Sequence, residues 1–168
     1  MNKLTFLLPF TLAVFFGCNN QPKQIEITPD VLISIPQKCD VTVKDSANYL
    51  KSWETSIDDD QFAVFRYSIS QQDTSIIGTT RQAFKNNIDA FIQTFDFKNI
   101  DSTYTFKEKL LRSDLSFDYI SNGNNYRFYG RFLVNEQNFI AFCFQTTYPL
   151  DNYSKSTKDK LFTSIEIK

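Results

Sequence analysis

The chain has 168 residues, no histidine, and 18 basic against 19 acidic side chains, for a net charge of −1. The missing histidine removes Ser-His-Asp and Cys-His catalysis, the histidine-containing zinc sites and the HExxH helix together. The slightly acidic balance argues against nucleic acid as a partner, and 18 Phe, 8 Tyr and one Trp are enough to build one domain with a solid core.

Lys3 is followed by an almost unbroken apolar stretch, Leu4 to Phe16, and then by Gly17. That is the order of a secretory signal. About thirteen such residues cover about 20 Å at roughly 1.5 Å per residue, short of the roughly 30 Å of a bilayer core, and Pro9 interrupts them. Residues 1–17 are therefore set apart from the fold. Phe15-Phe16-Gly17-Cys18 resembles a bacterial lipobox, in which the cysteine is lipidated and becomes the first mature residue. The resemblance implies lipidation at Cys18 and a membrane as partner through that anchor, because several acyl chains hold durably where one does not. The alternative is conventional cleavage nearby. Residues 18–29, which continue NNQPKQ after the cysteine, are read as a polar tether, and 30–168 as a single domain. Asn19 stands where an Asp would retain the protein at the inner membrane by the enteric sorting rule. With no early acidic cluster after it, the expected place is the outer membrane, facing the periplasm.

In chain order, DVLISIP and CDVTV predict short strands, the first stopped by Pro36. ANYLKSWETSI and QFAVFRYSIS predict two strands joined at Asp58-Asp59-Asp60, with a short helix as the alternative for the first. Phe84, Ile88, Phe91, Ile92 and Phe95 form one stripe of an amphipathic helix over 79–95. From Tyr104 the pattern returns to period two. TYTFKEKLL, DLSFDYI, NYRFYGRFLV and NFIAFCFQTTY, separated by SNGNN and NEQ, predict an antiparallel meander. Its last strand is apolar on both sides, with Phe139, Ala141 and Cys143 facing one way and Ile140, Phe142 and Phe144 the other. Such a strand should be central, with material packed on each face. Leu150, Tyr153, Thr157 and Leu161 predict a second helix over 150–162, and SIEI a closing strand.

This order, ending in LFTSIEI, resembles the PsbP-like fold of luminal photosystem accessory proteins and DcrB-like bacterial lipoproteins. The resemblance spans residues 30–168 and implies an α+β class: an antiparallel sheet with helices packed on both faces, serving as a non-enzymatic accessory or binding module. The competing fold is a barrel curled around one helix, against which the two-sided apolar strand speaks.

The chemistry on offer is sparse. No S-x-x-K nucleophile occurs, and Gly78, Gly123 and Gly130 form no phosphate-cradling loop. No catalytic residue, metal site or cofactor is assigned. Asp58-Asp59-Asp60 lacks the alternation of a calcium loop and reads as a solvated turn. Asp114 and Asp118 would share a strand face, the one arrangement that suggests carboxylate hydrolysis, although surface decoration is the simpler reading. In YRFYGRF, Arg127, Tyr129 and Arg131 alternate with Tyr126, Phe128 and Phe132, which makes the first three a candidate ligand face. Cys39 and Cys143 could pair in an oxidising compartment or stay buried thiols. Asp45-Ser46-Ala47 and Asp101-Ser102-Thr103 resemble sites of periplasmic O-glycosylation. Three functions follow in order: a membrane-tethered module that binds an envelope protein, a carrier of a lipid or other apolar ligand, and a carboxylate hydrolase.

Overall fold

A computed structural model describes residues 21–46, 50–69, 81–94, 97–107, 110–135, 137–147 and 151–168. The leader, Cys18 and the first tether residues lie outside the described residues. The order is β1 (Lys23–Thr28), β2 (Val31–Ile35), β3 (Thr42–Ser46), β4 (Leu50–Ile57), β5 (Asp60–Ser68), α1 (Arg81–Thr94), β6 (Lys98–Lys107), β7 (Leu110–Ser121), β8 (Asn124–Val134), β9 (Asn138–Thr147), α2 (Asn152–Thr163) and β10 (Glu166–Ile167).

Seven strands form one antiparallel sheet in the order β3-β4-β5-β9-β8-β7-β6, and β1-β2-β10 form a smaller one. β9 is the middle strand, as its two apolar sides demand. Ile140, Phe142 and Phe144 share a buried core with Phe62, Val64 and Leu133, with Ile27, Ile33 and Ile35 of the small sheet, and with Leu161 of α2. On the other side of the strand, Phe139 and its neighbour Phe132 border a second core of Leu111, Leu115 and Phe117 under Phe84 and Ile88 of α1.

Several boundaries differ from the sequence expectation. The tether ends earlier, because Ile25 and Ile27 alternate with Gln24 and Glu26 and are buried as β1 pairs with β2. Two apolar residues in a polar stretch made a weak strand signal. Cys39 is not in a strand: its amide N–H donates to the Pro36 carbonyl at 3.0 Å, and β3 starts at Thr42. ANYLKSWETSI takes the strand form as β4, with Trp53, Thr55 and Ile57 on its buried side.

Leu110 and Leu111 open β7 rather than end the strand before it, and Ser113 is a fully buried strand residue in line with Leu111, Leu115 and Phe117. β6 also begins earlier, at Lys98. Both helices lie where their stripes place them. Even so, Phe91 is 41% and Tyr153 53% exposed, so the inner stripe of α2 runs through Ser154, Thr157 and Leu161. Asp151 caps α2 by accepting from the Ser154 amide at 2.6 Å.

Gly130 lies in the middle of β8 because the rings of Phe128 and Phe132, two residues to either side on the same face, close over it. A Cβ there would come within 2.8 Å of Phe128 and 2.9 Å of Phe132. Overpacking of this kind costs about 1–3 kcal/mol. Gly130→Ala should lose stability by that amount in urea denaturation, and a loss below about 0.5 kcal/mol would contradict the packing described.

Candidate functional site

Alternation in β8 sends Arg127, Tyr129 and Arg131 to one face, as the sequence predicts, and the register sets them opposite Asp118, Ser116 and Asp114 of β7. Each carboxylate therefore meets a guanidinium. Arg127 donates from Nη1 to Asp118 Oδ1 at 2.8 Å and to the Asn99 carbonyl at 3.0 Å, and from Nη2 to Ser116 Oγ at 2.8 Å. Arg131 donates from Nε and Nη2 to the two Asp114 oxygens at 2.7 and 3.2 Å, and from Nη1 to the Phe162 carbonyl in α2 at 2.8 Å. Arg112 reaches the same carboxylate from Nε at 3.1 and 3.3 Å and also from Nη2. Asp114 is thus held between two arginines.

The aromatic members carry cations as well. The Lys158 ammonium stands 4.6 Å from the Tyr129 ring centre, and the Arg127 guanidinium 5.4 Å from it. A cleft of about 550 Å³ lies here, lined by Asp114, Ser116, Tyr129, Arg131, Lys158 and Phe162 among others. Burial pushes the Asp114 carboxyl up, but the hydrogen bonds and charges of Arg131 and Arg112 outweigh it and hold the group below the usual carboxylate range. Such an arrangement keeps the Asp114 carboxylate charged. Asp114 and Asp118 share a face as predicted, yet each is engaged by its own arginine.

Sequence reading missed two contributors. Arg112 had a signal, since R-x-D on a strand puts both side chains on one face. Lys158 had none, because its partner ring lies on a different element.

The other candidates are scattered. Asp58 takes the turn, with φ of 53°, and accepts from the Tyr153 hydroxyl. Asp60 departs from the solvated reading: it is only 3% exposed and accepts from Ser154 Oγ at 3.0 Å. The triplet thereby ties the β4–β5 turn to the start of α2. Ser102 sits within β6 opposite Leu115, and Ser46 ends β3 just before Ala47, which lies outside the described residues.

Cys39 and Cys143 are free thiols lining one cleft of about 920 Å³. Cys143 lies between Ala63 and Gly130 in the sheet, and burial pushes its thiol up to about 12. Burial also raises Cys39, with Asp58 and Asp40 adding to it against the opposing charge of Lys38. Both shifts favour the protonated thiol.

Solved structures place this architecture. Cyanobacterial PsbP (CyanoP) of Synechocystis sp. PCC 6803 superimposes with a TM-score of 0.59 at 14% identity, over 94% of this chain and 99% of that one. A Bacteroides thetaiotaomicron VPI-5482 protein superimposes at 0.53 and 10% identity over 88% of this chain, which spans about half (49%) of that protein's length. LpqN, involved in cell envelope biogenesis of Mycobacterium tuberculosis, aligns at 0.47 and 7% identity over 88% of this chain and 91% of its own. No family model and no curated protein matches the chain. The fold is PsbP-like. Among the described residues, no helix is long and apolar enough to cross a membrane.

Because its folded pKa lies below the unfolded value, Asp114 contributes stability that is present above about pH 4 and lost as pH falls through the folded value. Asp114→Asn should cost about 1–3 kcal/mol at pH 7, and the gap to the unmodified protein should narrow below about pH 4. A gap that stays constant across that range in denaturant titrations would contradict the arginine-held carboxylate.

Proposed function

We propose that the chain is a lipoprotein of the cell envelope, anchored at Cys18 on the periplasmic side of the outer membrane, whose domain is a non-enzymatic accessory or interaction module. The observation that carries this reading is the closure of the β7–β8 face, where acids and bases meet. Asp114 and Asp118 are held by Arg131, Arg112 and Arg127, which weighs against carboxylate hydrolysis. A charge-locked face of this kind suits recognition more than turnover. The PsbP-like fold is compatible with the reading but does not fix it.

We further read the architecture as a sandwich with helices on both faces of the large sheet. Two contacts support this. Phe84 and Ile88 of α1 pack with Leu115 and Phe117, while Leu161 of α2 packs with Phe142 and Phe144. In the register, the first set and the second point to opposite sides.

Carriage of an apolar ligand is the second reading, and the larger cleft favours it. Its floor is Ala63 and Cys143, two small neighbours in register, between the rings of Phe65 and Phe128. About 920 Å³ is within the usual size of a small-molecule site.

Affinity purification of the detergent-extracted full chain, with chemical cross-linking, separates the two. The module reading expects one envelope protein at a fixed ratio, retained by wild type and lost in Cys18→Ser, which cannot be anchored. A purified chain without protein partners, whose solvent extract contains a stoichiometric lipid, would overturn it in favour of the carrier.

A further inference from the structure

One end of the domain gathers the tether, a protruding hairpin and the two most exposed large apolar side chains among the described residues, Ile120 at 65% and Tyr153 at 53%. The register shows that these features share an end. Lys23, where β1 begins, pairs with Ile35 at the end of β2, and the Pro36–Cys39 turn follows directly. Cys39 feels the charge of Asp58 and lines a cleft with Ser56 and Gln61. The tether therefore enters beside the β4–β5 turn.

Tyr153 is there too, with its hydroxyl on Asp58. Gln61 lies in one row with Gln145, Phe128 and Phe117. β7 and β8 run on past that row in the same direction, through Tyr119↔Tyr126 and Ile120↔Asn125 to Ser121↔Asn124. Asn122 and Gly123, with φ of 50° and 78°, close them in the tight left-handed turn that hairpins prefer. Tyr119 and Tyr126 stack at 5.4 Å in the row before Ile120. From the Phe117 row to the Ser121 row the hairpin extends by about 13 Å at about 3.3 Å per residue.

We propose that this end, led by Ile120 and Tyr153, rests in the headgroup region of the bilayer that carries the Cys18 anchor. The inference rests on the anchor of the proposed function and adds an orientation to it. Cys18 stands five residues before Lys23, so the start of β1 lies at most about 18 Å from the backbone of the lipidated residue. A tether this short brings the Lys23 end, and no other, against the membrane. Tyrosine and a branched aliphatic at a turn are side chains suited to the interface, where an apolar body and a polar tip are both accommodated. The acids at this end, Asp40, Asp58, Asp59 and Asp151, against Lys23 and Lys38, match a zwitterionic headgroup layer better than an anionic one.

The test uses the full chain purified from membranes and reconstituted in phosphatidylcholine–phosphatidylethanolamine vesicles that carry a headgroup-level quencher. An environment-sensitive fluorophore is placed on Ile120→Cys and on Tyr153→Cys, with Gln137→Cys in the β8–β9 turn at the far end as reference. Intact mass first reports lipidation of Cys18. The expected result is a blue shift and several-fold stronger quenching at 120 and 153 than at 137. Equal quenching at all three positions on a lipidated chain overturns the orientation and leaves the anchor standing. A chain without the acyl mass overturns the anchor and, with it, this inference.

Discussion

The fold depends on a strand that has no polar side. β9 presents Ile140, Phe142 and Phe144 to one face and Phe139 and Ala141 to the other, and the first three are at most 1% exposed. Left at an edge or on a half-wet sheet, such a strand would expose several large side chains, each worth about 1.5–3 kcal/mol on burial. It therefore takes the middle position, with β5 and β8 on either side. The small sheet and Leu161 share a core with its Ile140, Phe142 and Phe144, and its Phe139 borders the core that holds Phe84 and Ile88. Both cores share this wall.

Around that wall the meander needs its register fixed, because a slip of one residue would turn every side chain of β7 to the wrong face. The cross-strand pairs Asp114↔Arg131 and Asp118↔Arg127 accomplish this. Partly buried ion pairs contribute little net stability, but breaking one leaves a charge without its partner, so alternative registers are penalised more than the native one is favoured. Arg131 extends the same lock to α2 through the Phe162 carbonyl. The charged groups of this face thus hold strands and a helix together.

Much of this was legible in the sequence. The period-two pattern of β7 to β9, the central place of the last meander strand, both helices and the split of β8 into an arginine face and a phenylalanine face all follow from side-chain alternation. What failed has a common cause. Leu110 and Leu111 looked like the end of one strand and open the next, ahead of the buried Ser113; Ile25 and Ile27 looked like tether and are core; Asp60 looked solvated and is buried against Ser154. In each case tertiary contact from a distant element overrides the local propensity of a polar residue or a short apolar pair. Likewise, Lys158 over Tyr129 joins residues far apart in the chain, a pairing that no local spacing encodes.

If β9 is the shared wall of both cores, they should fail together. Native-state hydrogen exchange across a urea series measures this most directly. Amides of β9, of β7 in the core beneath α1, and of β2 in the other core should converge on one opening free energy as urea rises. Opening of the β7 amides at a distinctly lower free energy while β9 and β2 stay protected would contradict the account.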